Sequence, residues 1–113
     1  MENRRQQIRI SKSLEVKYKI ADGFLKSGAR SFDISKGGIR LPTIQRLRPG
    51  TILELEIKLS EVADPIIAIG EVMWLSPRKQ GEYPFEVGVK FIDIAPIDSE
   101  ALRNLCKDIE KKE

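Results

Sequence analysis

Leu14-Glu15-Val16-Lys17-Tyr18-Lys19-Ile20 alternates apolar and charged side chains without a miss. Successive side chains of an extended chain point to opposite faces, so this period of two predicts a strand with one dry face and one wet face. The pattern returns after Arg48-Pro49-Gly50, where Leu53, Leu55, Ile57 and Leu59 alternate with Glu54, Glu56 and Lys58. It returns again near the end, where Phe85, Val87, Val89 and Phe91 line one face of a last strand. Residues 66–75 carry apolar side chains on both faces and read as a central strand. Residues 76–84, with Pro77, Gly81 and Pro84, read as an exposed hairpin loop.

The remaining strands are weaker. Ala21-Asp22-Gly23 supplies a turn, and residues 24–32 form a second strand diluted by Lys26, Ser27 and Gly28. Residues 38–41 form a short strand, which Pro42 should stop from continuing as a central one. The end of the chain differs in kind. Ala101, Leu102, Leu105, Cys106 and Ile109 recur at helical spacing, with Asp98 as the expected N-cap and Ile97 and Leu102 as a staple around it. Lys107, Lys111 and Lys112 load its C-terminal end favourably for the helix dipole. The expectation is about six antiparallel strands in a barrel or sandwich, with a terminal helix over an open end or an edge. A single domain of 113 residues would comprise a basic arm (1–12), a β-barrel (13–95) and a helix (97–111).

Composition narrows the function. Hydrophobic residues make up 41% and charged residues 33%, which fits a globular protein. The net charge of +3 is too small to imply DNA or anionic membranes as partners. The chain has no histidine and one cysteine, which excludes a histidine triad, a histidine-rich metal site and an intrachain disulfide. Cys106 falls on the apolar stripe of the helix and reads as a buried structural thiol suited to a reducing cytoplasm. The polar N-terminus gives no sign of a signal peptide, and no apolar run is long enough to span a bilayer. No nucleophile, metal cluster or phosphate-cradling loop is paired with the plentiful carboxylates, so no catalytic residue is assigned.

Two short segments carry the functional reading. Asp33-Ile34-Ser35-Lys36-Gly37-Gly38 is a polar turn between apolar runs, and Asp, Ser and Gly are ordinary hairpin residues. Asp33 and Ser35 would point to the same side of an extended segment. Gly37 and Gly38 would allow φ > 0 and a close ligand approach. Arg5-Gln6-Gln7-Ile8-Arg9, preceded by Arg4, places arginines on an arm just before the first clear strand. Arginine binds phosphate in a fork, stacks on purines and grips guanine O6 and N7. An ionised Asp33 accepts hydrogen bonds and suits the N1–H and N2–H₂ donors of guanine, while Ser35 can donate. Lys36 and Arg40 lie near the turn and could add charge for phosphates, although a plain solvent-exposed role is expected for each.

This order of motifs, Arg-x-x-x-Arg followed by (Asp/Asn)-x-Ser-x-x-Gly, resembles the PilZ domains. The resemblance continues in Gly70-Glu71-Val72-Met73-Trp74 and Gly88-Val89-Lys90-Phe91, and covers essentially the whole chain. It implies a six-stranded antiparallel β-barrel with a C-terminal helix and binding of the bacterial second messenger cyclic di-GMP. Carried over by motif position, Arg5 and Arg9 would hold phosphate and guanine, and Asp33 and Ser35 would read the base. Gly37 and Gly38 would form the close turn, and Arg4 would bear on whether one or two dinucleotides bind. Trp74 is a further candidate against the ligand, although a lone strand tryptophan is more often core. The resemblance implies a cytoplasmic receptor in motility or biofilm regulation, signalling to a downstream protein, with no metal or other cofactor. Two rivals remain: a PilZ-fold adaptor acting by protein contact alone, and an OB-like barrel for single-stranded nucleic acid.

Overall fold

The computed structural model describes residues 11–111, with side chains through residue 106. Seven strands precede one helix: β1 (Glu15–Ile20), β2 (Ser27–Arg30), β3 (Asp33–Ser35), β4 (Gly38–Thr43), β5 (Ile52–Lys58), β6 (Ile66–Pro77), β7 (Phe85–Ile94) and α1 (Pro96–Lys111). They form one antiparallel sheet in the order β2-β1-β5-β6-β7-β4-β3. The alternating stretches behave as their pattern dictates. Val16, Tyr18, Leu53, Leu55 and Ile57 are buried. On the outer face Glu15 stands opposite Lys58, Lys17 opposite Glu56, and Lys19 opposite Glu54. Opposite charges directly across a ladder favour this register, because a slip of one residue would bring apolar side chains outward.

The sheet curls because its two edges are consecutive in the chain. β2 and β3 end the strand order on opposite sides, yet only Ser31 and Phe32 separate them. The Ser31 amide donates to the Leu14 carbonyl at 2.9 Å, extending the β1–β2 ladder. The next amide, of Phe32, donates to the Arg40 carbonyl at 2.9 Å, on the β3–β4 side. Two adjacent amides thus serve the two edges, and the interior they enclose holds Ile34, Ile39, Leu41, Val72, Val87 and Val89. Leu102 of α1 is fully buried in the same core, with Cys106 also buried.

Four expectations are corrected. The strands number seven because the Asp33–Ser35 part of the expected turn pairs with β4 as a strand of its own. The second strand begins only at Ser27, since Phe24 is exposed. Pro42 does not end β4, which runs to Thr43 with Pro42 opposite Glu86 of β7. The Arg40 carbonyl faces the β3 side, so the nitrogen of Pro42, two residues on, faces that side too. β3 has no residue opposite Pro42, so the missing N–H leaves no ladder bond unmade. Finally, α1 starts at Pro96, with the Ser99 amide donating to the Ala95 carbonyl at 2.9 Å. Asp98 lies inside the first turn, and Ile97 is 79% exposed, so the expected cap and staple do not form. Proline at the first helical position has no N–H to leave unsatisfied, which fixes the start there.

Candidate functional site

The pairing registers bring one row of residues together on the outer face of four neighbouring strands. Asp33 of β3 lies opposite Arg40 of β4, Arg40 opposite Gly88 of β7, and Gly88 opposite Trp74 of β6. These residues help line an open cleft of about 660 Å³, together with Gly37, Gly38, Met73, Lys90 and Phe91. That volume lies within the ordinary range of small-molecule sites, roughly 300–1,000 Å³.

A bulge sets the direction of Trp74. Along β6, Ile66, Ala68, Gly70 and Val72 face the core. Simple alternation would turn Trp74 inward as well. The pairing slips between Val72 and Trp74, where two steps along β6 match one along β7. The extra residue reverses the phase, and Trp74 emerges 41% exposed on the cleft side. Of the two alternatives for Trp74, core or cleft, the structure places the side chain at the cleft. Its indole packs against Gly88, where an added Cβ would stand 2.2 Å from Nε1. A glycine inside a strand was the sequence signal for this close approach.

The turn between β3 and β4 is tied down at several points. The Ser35 hydroxyl accepts from the Gly37 amide at 3.2 Å and reaches the Gly38 carbonyl at 3.5 Å. The Gly37 carbonyl accepts from the Phe91 amide at 2.9 Å, which docks the turn on β7. Neither glycine has positive φ; among the described residues that conformation occurs at Gly50 and Gly81. Gly38 is required for a different reason. A Cβ there would lie 2.3 Å from the Val89 carbonyl oxygen, so only glycine lets β4 lie this close to β7.

Arg40 is not a plain surface residue. Its Nε donates to Asp33 Oδ2 at 2.9 Å, and its Nη1 donates to Glu86 Oε2 at 2.6 Å. Its guanidinium stands 5.0 Å from the centroid of the Phe32 ring, and Arg78 stands 4.7 Å from the same ring. Burial pulls the Arg40 pKa down, but the hydrogen bonds to Glu86 and Asp33 outweigh it and leave it raised. The arginine is charged at every accessible pH. Lys90 adds a second positive charge at the cleft and is exposed. Sequence reasoning expected a plain solvent-exposed role for Arg40 and did not name Met73, Gly88 and Lys90 as site residues, because only the cross-strand register gathers them. Arg4, Arg5 and Arg9 lie outside the described residues. No cluster of metal-ligating side chains occurs among the described residues.

Comparison with known proteins decides the family. The model of the PilZ domain matches residues 3–108. The chain belongs to the PilZ domain family. Solved structures of similar fold include the Bacillus subtilis inhibitor of motility MotI/DgrA, at 22% identity and a TM-score of 0.81, over 96% of this chain and 52% of that one. The present chain thus spans about half the length of that protein. The PilZ domain of Escherichia coli YcgR, solved with cyclic di-GMP, superposes at 19% identity and a TM-score of 0.75, over 96% of this chain and 93% of that one. The transcription regulatory factor MrkH superposes at 14% identity and a TM-score of 0.67, over 95% of this chain and 50% of that one. A comparison with curated proteins finds no match. In this PilZ domain the second motif thus supplies one wall of the cleft, through Asp33, Gly37 and Gly38, with Ser35 bracing it from behind.

Proposed function

We propose that this PilZ domain is a receptor for cyclic di-GMP and not a catalyst. The observation that carries the proposal is the cleft that gathers Asp33, Gly37, Gly38 and Trp74 from three strands and a turn in a PilZ fold. In this reading Asp33 accepts from the N1–H and N2–H₂ edge of a guanine, and Trp74 offers a flat face to the base. Ser35 holds the turn while Gly37 and Gly38 keep it low enough for the ligand to approach. Arg5 and Arg9 fork onto phosphate and guanine from residues 1–12, and Arg4 sets whether one or two dinucleotides are held. The solved complex of the YcgR PilZ domain with cyclic di-GMP supports the choice of ligand. Ordering of the arm on the ligand would create a surface that a downstream protein reads, in the cytoplasm.

Calorimetric titration of the folded chain with cyclic di-GMP tests this, alongside an Arg5→Ala/Arg9→Ala variant. Micromolar or tighter binding is expected, and it should collapse in the variant, since charge-assisted hydrogen bonds contribute about 1.5–3 kcal/mol each. Absence of binding by the folded wild type would overturn the receptor reading and leave the adaptor.

A further inference from the structure

We infer that Lys90 is the barrel's own phosphate-holding residue, a cation on the floor of the cleft that takes a phosphodiester oxygen of the bound dinucleotide. The inference rests on the receptor reading above and adds a residue outside both short motifs. A second bulge aims this side chain. Phe91 and Ile94 both pack against the core although they are three residues apart, which a regular strand does not allow. The pairing slips between Ile69 and Gly70, where one step along β6 matches two along β7, from Asp93 to Phe91. Ile92 is the extra residue and reverses the phase. Beyond it Phe91, Val89 and Val87 turn to the core, and Lys90 is exposed at the cleft. One bulge on each of two neighbouring strands thus brings Trp74 and Lys90 out onto the same floor.

The surroundings leave the Lys90 ammonium to a ligand. Lys90 stands opposite Gly38 on β4, and Gly88 lies two residues before it on β7, so no side chain rises beside it in either direction. Glu71 stands opposite on β6, but among the described residues Lys90 forms no ion pair. Arg40, the other described cation lining the cleft, is already bonded to Asp33 and Glu86. A phosphodiester lying over the two glycines therefore meets one cation that holds no carboxylate. The Phe91 amide donates to the Gly37 carbonyl at 2.9 Å, which fixes the backbone beside Lys90 against the turn. An ammonium is a compact point charge with three donors, and it can meet a phosphate oxygen from many directions.

Titration of the full chain with cyclic di-GMP at low and high salt tests this in the wild type, Lys90→Gln, Lys90→Arg and Lys36→Gln. Lys90→Gln should bind about five- to tenfold more weakly at low salt, between the loss of an exposed ion pair and that of a charge-assisted hydrogen bond. The gap should narrow as salt rises, because the lost contact is ionic. Lys90→Arg keeps the charge and should recover most of the affinity. Lys36→Gln removes the same charge from the nearby turn without touching the cleft floor, and should cost about twofold at most. Without ligand, Lys90→Gln should melt like the wild type, which separates a lost contact from a damaged fold. Wild-type affinity in Lys90→Gln, a loss that salt does not change, or an equal loss in Lys36→Gln would overturn this inference alone. Absence of cyclic di-GMP binding by the wild type would overturn it together with the receptor reading.

Discussion

The indole of Trp74 occupies the space that a side chain at Gly88 would need. An added Cβ would fall 2.2 Å from Nε1 and 2.3 Å from Cε2, far inside contact distance. The two residues are directly opposed across β6 and β7, so the glycine provides the floor on which the tryptophan lies. The bulge turns Trp74 outward, and the missing side chain at Gly88 leaves room for its ring.

Gly88→Ala should therefore lift or rotate the indole. Because one edge of Trp74 is open to solvent, the ring can move without parting the strands. A cost near the lower end of about 1–3 kcal/mol for overpacking is expected. Tryptophan fluorescence reports on a single residue here, since the chain has one Trp. A changed emission maximum with a small drop in melting temperature is the expected result. Unchanged emission would show that the ring does not depend on this floor.

Gly38→Ala meets a harder obstacle. Its Cβ would lie 2.3 Å from the Val89 carbonyl oxygen and 3.3 Å from its carbon, both backbone atoms. A side chain can swing aside, but here β4 and β7 would have to separate, disturbing the ladder through Gly38–Lys90 and Ile39–Val89. The loss should exceed that of Gly88→Ala and reach the upper part of the overpacking range, about 3 kcal/mol. Chemical denaturation of the two variants side by side checks the order.

These two glycines mark what could be read from the sequence and what could not. Perfect alternation in residues 14–20 and 53–59 set the strands and their inward faces, because each strand needs only its own pattern to choose a face. The positions of Asp33, Gly37 and Gly38 on one wall of a cleft followed from a short local motif. The direction of Trp74, a ligand candidate that could equally have been core, was not legible, because one inserted residue reverses the phase and no local pattern announces a bulge. Arg40 was expected to be a plain surface residue because its partners are 7 and 46 residues away in sequence. Only the order of strands brings Asp33 and Glu86 to its two sides. Asp98 was misplaced because Pro96 and Asp98 both suit a helix start, and the proline took the first position.

Ser31 closes the seam of the barrel with its side chain as well as its amide. Its hydroxyl donates to the Lys12 carbonyl at 2.6 Å and accepts from the Leu14 amide at 2.9 Å. Arg30 reinforces the same place, donating to the Ser13 hydroxyl and carbonyl at 2.9 Å. Ser31→Ala would leave the buried Leu14 amide without its acceptor, at a cost of about 1–3 kcal/mol. Hydrogen exchange should show the Leu14 amide losing protection before the amides of β5 do. An unchanged exchange rate at Leu14 would mean that another acceptor takes over.

Tyr18 gives the fold a pH dependence of definite sign. Burial raises its pKa above 10.0; a hydrogen bond with Ser27 works in the opposite direction, and Tyr83 adds a small further rise. A phenol with a folded-state pKa above its unfolded value resists ionisation more in the native state. Its contribution is therefore fully present below about pH 10 and is lost as pH rises from there through the folded pKa. Wild-type stability should fall in that window through unfolding that exposes and ionises the phenol. Tyr18→Phe keeps the ring in the core and removes the ionisable group. It should start slightly less stable at neutral pH, by about 1 kcal/mol for the lost hydrogen bond. Its stability should then decline less steeply in alkali, so the two denaturation profiles converge as pH rises. Parallel profiles would assign the alkaline loss to other groups, and the difference in tyrosinate absorbance between wild type and Tyr18→Phe would report the ionisation of Tyr18 itself.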